Sequence, residues 1–193
     1  MSFVRTFLCA SSASSASSAF HKPSFEKAWS FALFSASIVC AGCGQNKFEK
    51  EVETEKNAVT FARQVVSGGY ELVTTEELKK LVDDKAAFLL VDTMPADDFA
   101  REHIAGAVNF PLPKEDMPEW DAKQTGDKTT EDFAKLLGED KSRLIVFYCG
   151  FTACGRSHNG AMWAKKLGYT NAKRQPGGIF AWKGAGFPLD ASK

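Results

Sequence analysis

Beyond residue 43 the chain has only two cysteines, Cys149 and Cys154, and the other three, Cys9, Cys40 and Cys43, crowd into the first 43 residues. Two thiols make no disulfide framework. Charge of one sign is also missing: 24 basic and 24 acidic residues cancel, so nothing in the composition marks a nucleic-acid binder. No apolar run reaches the roughly 20 residues that cross a membrane comfortably as a helix. No His/Cys spacing matches a zinc site and no glycine-rich loop matches a nucleotide cradle, so neither a metal nor a cofactor is expected. What the 193 residues do have is a hydrophobic content of 44%, which suits one globular domain with an appendage.

The first 43 residues do not read as fold. The stretch Ser11–Ala19 is low-complexity and cannot bury a core. Lys22 and Lys27 then precede an uncharged, mainly apolar run over 28–42 that ends at Cys43. Its length suits the apolar region of a signal peptide. IVCAGCG at 38–44 resembles a bacterial lipoprotein box, in which small residues precede the cysteine that becomes the lipidated first residue of the mature chain. That resemblance implies a signal peptide over 1–43, lipidation of Cys43, and an exported protein held on the membrane and facing the periplasm. An uncleaved anchor or a buried helix is the other reading of the same run. Residues 44–69 read as a tether that becomes a helix from about Asn57 to Val66, because KFEKEVETEK is charged and the apolar residues gather behind it. SGG at 67–69 breaks that helix, and the domain is placed at 70–190.

From Tyr70 onward, short apolar runs alternate with amphipathic segments. YELV is a short strand, and TTEELKKLVDD sets Thr ahead of Glu at capping-box spacing with apolar residues at helical period. AFLLVD is a continuous apolar run suited to a buried strand of a sheet covered on both faces. PADDFARE reads as a short helix with Pro95 in its first turn, and AGAVNF as another strand. Residues 111–130, punctuated by proline and glycine, read as a surface excursion. TEDFAKLLG is a helix closed by Gly138, RLIVFY a buried strand, SHNGAMWAKKLG a helix ended by Gly168, and NAKRQ an edge strand. The alternation predicts an α/β domain with a largely parallel sheet.

In such folds, ligands bind outside the carboxyl ends of the strands. FYCGFTACGRSHNGA at 147–161 occupies that place: Cys149 follows directly on the RLIVFY strand, and the next helix begins near Ser157. A thiol there faces the amides of a tight loop and the positive end of the helix dipole, both of which favour thiolate. Arg156 adds a fixed positive charge able to hold an anionic substrate. A cysteine after a buried strand is, taken alone, more often an inert core residue. Arg156 and the helix start turn the reading toward a nucleophile.

Two longer stretches now carry a resemblance. LLVDTMPADDFAREHIAGAVNFP resembles the segment in which rhodanese-like sulfurtransferases have a strand, an aspartate and a histidine-containing turn before a small-residue strand. IVFYCGFTACGRSHNGAMWAKKLGYTNAKRQPGGIFAWKGAGFPL resembles their active-site loop, the helix behind it and the closing Gly-Gly and Trp-containing stretch. The similarity runs from about Tyr70 to Leu189. It implies a three-layer α/β fold with a central, mainly parallel sheet flanked by helices. It also implies that Cys149 carries a sulfane sulfur as a persulfide: the thiolate attacks a donor such as thiosulfate, releases sulfite, and passes the sulfur to a second acceptor. In that scheme the loop formed by Gly150, Phe151, Thr152, Ala153, Cys154, Gly155 and Ser157 binds the persulfide anion, and Arg156 orients the donor. Six residues separate Cys149 from Arg156, more than family loops commonly have, which implies a larger cradle. Met94 stands where the family usually has arginine.

Other residues carry plainer expectations. Asp92, at a strand end, supports the loop or makes a structural hydrogen bond. His103 belongs to architecture, while His158 tunes the thiolate or caps the helix start. Trp163 and Trp182 belong to the core. The expected partners are a small anionic sulfur donor, a thiol acceptor and, through the lipid anchor, a membrane. A cysteine-to-arginine loop also suits oxyanions, so a phosphatase or arsenate reductase stays open, as does a rhodanese-like module that binds without turnover. The flanking motifs favour the sulfurtransferase. Cys149 is expected to be the nucleophile, and Cys154 either a partner for it in a reversible disulfide or a small packing residue.

Overall fold

The computed structural model describes residues 46–192, so the expected signal peptide and Cys43 lie outside the described residues. Within them, helix α1 (Lys47–Gly68) is followed by β1 (Glu71–Leu72), α2 (Thr75–Asp83), β2 (Leu89–Asp92), α3 (Ala96–Arg101) and β3 (Val108–Asn109). A 3-10 turn (Ala122–Thr125), α4 (Thr130–Leu137), β4 (Ile145–Tyr148), α5 (Arg156–Lys166), β5 (Ala172–Arg174) and α6 (Gly178–Gly184) complete the order. The five strands form one parallel sheet in the order β1-β5-β4-β2-β3. None of these helices is long and apolar enough to cross a membrane.

The apolar runs behave as buried central strands should. Along β4, Ile145 and Phe147 face one side of the sheet and Val146 and Tyr148 the other, and all four are fully buried. On the first side they meet Phe133 and Leu137 of α4, Ala161 and Ala164 of α5, and Phe110, Leu112 and Met117. On the second side they meet Leu78 of α2, Ile104, and Ile179 and Trp182 of α6. Each such side chain contributes roughly 1.5–3 kcal/mol by leaving water, which suffices here without disulfides. Capping fixes the helix starts: Thr74 Oγ1 accepts from the Glu77 amide at 3.2 Å, while the Thr74 amide donates to Glu77 Oε2 at 2.7 Å.

Three expectations change. The charged segment taken for a tether is helical from Lys47, because Asn46 caps it and its Glu and Lys residues are good helix formers. Residues 47–60 are entirely exposed, so no burial pattern announces that half of the helix. Second, β5 is not an edge strand but lies between β1 and β4, since the two-residue β1 pairs along its outer side. Third, the excursion after Pro111 is bound to α5. Asn159 Nδ2 donates to the carbonyls of Pro113 and Glu115 at 3.0 and 2.8 Å, Asn159 Oδ1 accepts from the Met117 amide at 2.9 Å, and Trp163 Nε1 donates to the Met117 carbonyl at 2.8 Å.

Candidate active site

Strand β4 delivers the chain to Cys149 at the carboxyl end of the sheet, and the loop 150–155 returns it into α5. The base of this loop is clamped by α6: the amides of Ile179 and Phe180 donate to the carbonyls of Cys149 and Gly150 at 2.8 and 3.0 Å. Such close approach requires glycine at 178. Its φ is +60°, and a Cβ there would collide with the Cys149 carbonyl. Gln175 sets the same turn, accepting from the Gly178 amide at 2.7 Å.

The Cys149 sulfur is fully buried beneath the loop. Ser157 Oγ lies 3.1 Å from it, and the carbonyls of Cys154 and Phe151 lie at 3.5 and 3.9 Å. Behind Ser157 stands Arg174, also fully buried, whose fork spans the whole site. Its Nε donates to Ser157 Oγ at 2.9 Å and its Nη2 to the carbonyls of Cys154 and Thr152 at 2.9 and 3.2 Å. Its Nη1 donates to Gln64 Oε1 and the Tyr70 hydroxyl at 3.0 and 3.2 Å. Since guanidinium only donates, Ser157 receives from Arg174 and keeps its own proton for the Cys149 sulfur. The same logic turns the Tyr70 hydroxyl proton toward His158 Nδ1, 2.9 Å away. Burial lowers the His158 pKa to about 4, so this ring is neutral and accepting.

A guanidinium without exposure demands an anion nearby. Among the described residues no carboxylate pairs with Arg174. Asp116 reaches it only through Gln64, whose Nε2 donates to Asp116 Oδ1 at 2.8 Å. The other source of negative charge is the pair of cysteines, both free and buried, with the Cys149 sulfur 3.5 Å from the Cys154 carbonyl and each thiol shifting the titration of the other. Burial pushes the Cys149 thiol up. The hydrogen bond from Cys149, the amides of Arg156 and Gly150, and the Arg156 charge bring the Cys154 thiol down. With one thiol raised and its neighbour lowered, the pair favours the loss of a single proton.

The loop residues singled out by the sequence divide by depth. Phe151, Thr152 and Ala153 form an exposed tip, while Gly150, Cys154, Gly155 and Ser157 are buried. Gly155 is held so close to the Lys114 carbonyl that a Cβ would collide with it. Arg156 starts α5, and its guanidinium donates to the Leu112 carbonyl. Asp92 is buried at the end of β2. Its Oδ1 accepts from the Met94 amide at 2.8 Å, its Oδ2 has no hydrogen-bond partner of normal geometry, and burial raises its pKa to about 6. His103 stacks on Phe99 with ring centroids 4.0 Å apart and holds the Phe99 carbonyl, an architectural role. Trp182 is core on one face of the sheet, and Trp163 is partly buried against the cluster on the other. The sequence reading missed Arg174. Its signal was an arginine in the strand that leads into the Gly-Gly turn.

The family model described as the rhodanese-like domain matches residues 74–185. An HTH-type transcriptional regulator from Mycobacterium tuberculosis is 26% identical over 129 residues, which are 67% of this chain and 49% of that protein, so the chain spans about half the length of this curated relative. A thiosulfate sulfurtransferase from Pseudomonas aeruginosa superimposes with a TM-score of 0.53 at 17% identity, covering 71% of this chain and 23% of its own. A polysulfide-sulfur transferase homodimer from Wolinella succinogenes does so with a TM-score of 0.50 at 15% identity, over 71% of this chain and 90% of its own. A Bacillus halodurans protein gives 0.50 at 22% identity, over 72% and 87%. At these identities the structures show a shared fold. The matched segment holds β2, β4, the cysteine loop, α5 and the Gly-Gly turn, and the chain belongs to the rhodanese-like domain family.

Proposed function

We propose that the domain is a sulfurtransferase that carries a sulfane sulfur as a persulfide on Cys149. The observation that supports this most directly is the buried Arg174, which has no carboxylate partner among the described residues and sends its charge to the Cys149 sulfur through Ser157. That arrangement suits an anion on sulfur, either a thiolate or a persulfide. As Cys149 attacks the outer sulfur of a thiosulfate-type donor, its proton passes to the neighbouring Cys154 thiolate. The sulfur–sulfur bond of the donor breaks, sulfite leaves with the bonding pair, and an acceptor thiolate then takes the outer sulfur. Because Cys149 is fully buried, the exposed tip at 151–153 lifts to admit the donor. Phe151 and Phe180, tilted against each other with ring centroids 5.6 Å apart and both exposed, form an apolar lip where the acceptor approaches.

Intact-mass measurement after incubation with thiosulfate tests this. Release of sulfite is expected, with one added sulfur held on the protein when Cys154 is replaced by serine, and Cys149→Ser abolishes both because a hydroxyl is a far poorer nucleophile near neutral pH. Loading that persists in Cys149→Ser and vanishes in Cys154→Ser overturns the assignment. Turnover of phosphate esters without sulfur loading points to the oxyanion enzymes instead, and neither result leaves a binding module.

The same reading places the domain outside the cytoplasm, anchored through lipidated Cys43. It rests on the CAGCG motif behind a short apolar run. Lipid chains hold a protein on a membrane only while they are attached. Cys43→Ser is therefore expected to move the protein into the soluble fraction. A substituted protein that stays with the membrane like the parent ends the lipoprotein reading.

A further inference from the structure

Persulfide chemistry of this kind requires a single cysteine, yet two are built into this loop with separate sets of donors. The Cys149 sulfur lies 3.1 Å from the Ser157 hydroxyl, whereas the Cys154 thiol is lowered by the amides of Gly150 and Arg156 and by the Arg156 charge. Cys154 is only 3% exposed, so no solvent competes for those donors. The Cys154 amide donates to the Phe151 carbonyl at 2.9 Å, a turn that folds the loop back and sets the Cys154 carbonyl 3.5 Å from the Cys149 sulfur. Cys154 thus lies against the sulfur that would become the inner atom of the Cys149 persulfide.

We propose that Cys154 is a resolving nucleophile, so that the domain also reduces the sulfane sulfur it accepts and releases it as hydrosulfide. This rests on persulfide formation at Cys149. The Cys154 thiolate attacks Cys149 Sγ, a bond forms between the two cysteine sulfurs, and the bond to the outer sulfur breaks. The outer sulfur leaves as hydrosulfide with the bonding pair and the one proton that the thiols shared. Taken from the start, the thiol–thiolate pair and one thiosulfate give one disulfide, one sulfite and one hydrosulfide, with charge and hydrogen conserved. The two cysteines are oxidised by two electrons, and the sulfane sulfur is reduced by the same two. Hydrosulfide is a good leaving group, and a thiol lowered by its own donors supplies the thiolate that exchange needs. A further turnover requires an external dithiol to reduce the Cys149–Cys154 disulfide, which makes a dithiol protein or small dithiol the second substrate.

The test uses the full chain, reduced, freed of reductant and mixed anaerobically with excess thiosulfate, with sulfite, sulfide and intact mass all followed. The proposal expects about one sulfide for each sulfite and a protein two hydrogens lighter, with no lasting added sulfur. Cys154→Ser, or Cys154→Ala if the serine variant does not fold, is expected to form sulfite and hold one added sulfur, with sulfide release at least about tenfold lower than in the parent. Sulfite formation with a stable persulfide and no sulfide in the parent overturns the resolving role and leaves the sulfurtransferase reading standing. Absence of sulfite overturns that reading, and this one with it.

Discussion

Ser157 stands between a group that can only donate to it and one that can accept from it. Arg174 Nε occupies a lone pair of its oxygen, so the hydroxyl proton is left for the Cys149 sulfur at 3.1 Å. A hydrogen bond to a charged acceptor is worth about 1.5–3 kcal/mol, enough to move a thiol by roughly one to two pH units. Ser157→Ala is therefore expected to slow sulfur loading near neutral pH by about ten- to a hundredfold and to recover most of it at alkaline pH. The rate of loading from thiosulfate against pH reads this directly. A profile that overlays the parent's shows that the serine is packing only. Arg174→Lys keeps the charge but loses the fork that spans Ser157, Thr152 and Cys154, so the same alkaline displacement is expected there. Cys149 was legible in the sequence because its position alone, after an apolar strand and before a helix, places it at a strand end. Arg174 was not, because nothing local says which way a strand residue turns. Its role follows only from β5 lying beside β4, a long-range pairing that the polar look of NAKRQ concealed.

Most of the elements could be read, and the failures lie where local composition and burial part company. Strands β2 and β4 and helices α2 and α4 are apolar or amphipathic in proportion to what they bury, so periodicity reports them. The first half of α1 buries nothing and was read as a tether, since charge without periodicity suits either state. Its second half is where the helix matters: Phe61 lies under the Arg174 guanidinium with the ring 5.2 Å away, and Gln64 links that guanidinium to Asp116. α1 is thus a wall of the site. The excursion after Pro111 failed for the complementary reason. Its prolines and glycines signal irregular backbone, which is correct, but irregular backbone is not thereby free. Asn159 from the first turns of α5 satisfies three of its backbone groups, and the Leu112 carbonyl holds the Arg156 guanidinium. The excursion thereby fixes the start of α5, and through it Ser157, relative to the sulfur.

At the scale of the folded domain, two buried groups oppose each other as pH changes. Unfolded, Asp92 titrates near its ordinary 3.8, whereas folding raises it to about 6, chiefly by burial. Its neutral form is favoured in the fold, so its contribution is present below pH 3.8 and is lost as pH rises to 6. His158 runs the other way. Its ordinary 6.5 falls to about 4 on folding, chiefly by burial, so its contribution is present above pH 6.5 and is lost as pH falls to 4. Between pH 4 and 6 the unfolded chain holds one more proton on His158 and one fewer on Asp92. Each difference is worth about 1.4 kcal/mol per pH unit, and the two cancel. The carboxylates lowered by surface hydrogen bonds, among them Glu71, Asp121, Glu131, Asp132 and Asp140, are common to parent and variants and drop out of the comparison. Relative to the parent, Asp92→Asn is expected to gain stability from pH 4 to 6, and His158→Gln, which keeps an acceptor for Tyr70, to lose it. Each change amounts to about 3 kcal/mol across the window. Urea unfolding at pH 4, 5 and 6 measures both slopes. Two variants whose stabilities run parallel to the parent's across that window would mean that neither group is held away from its ordinary titration by the fold.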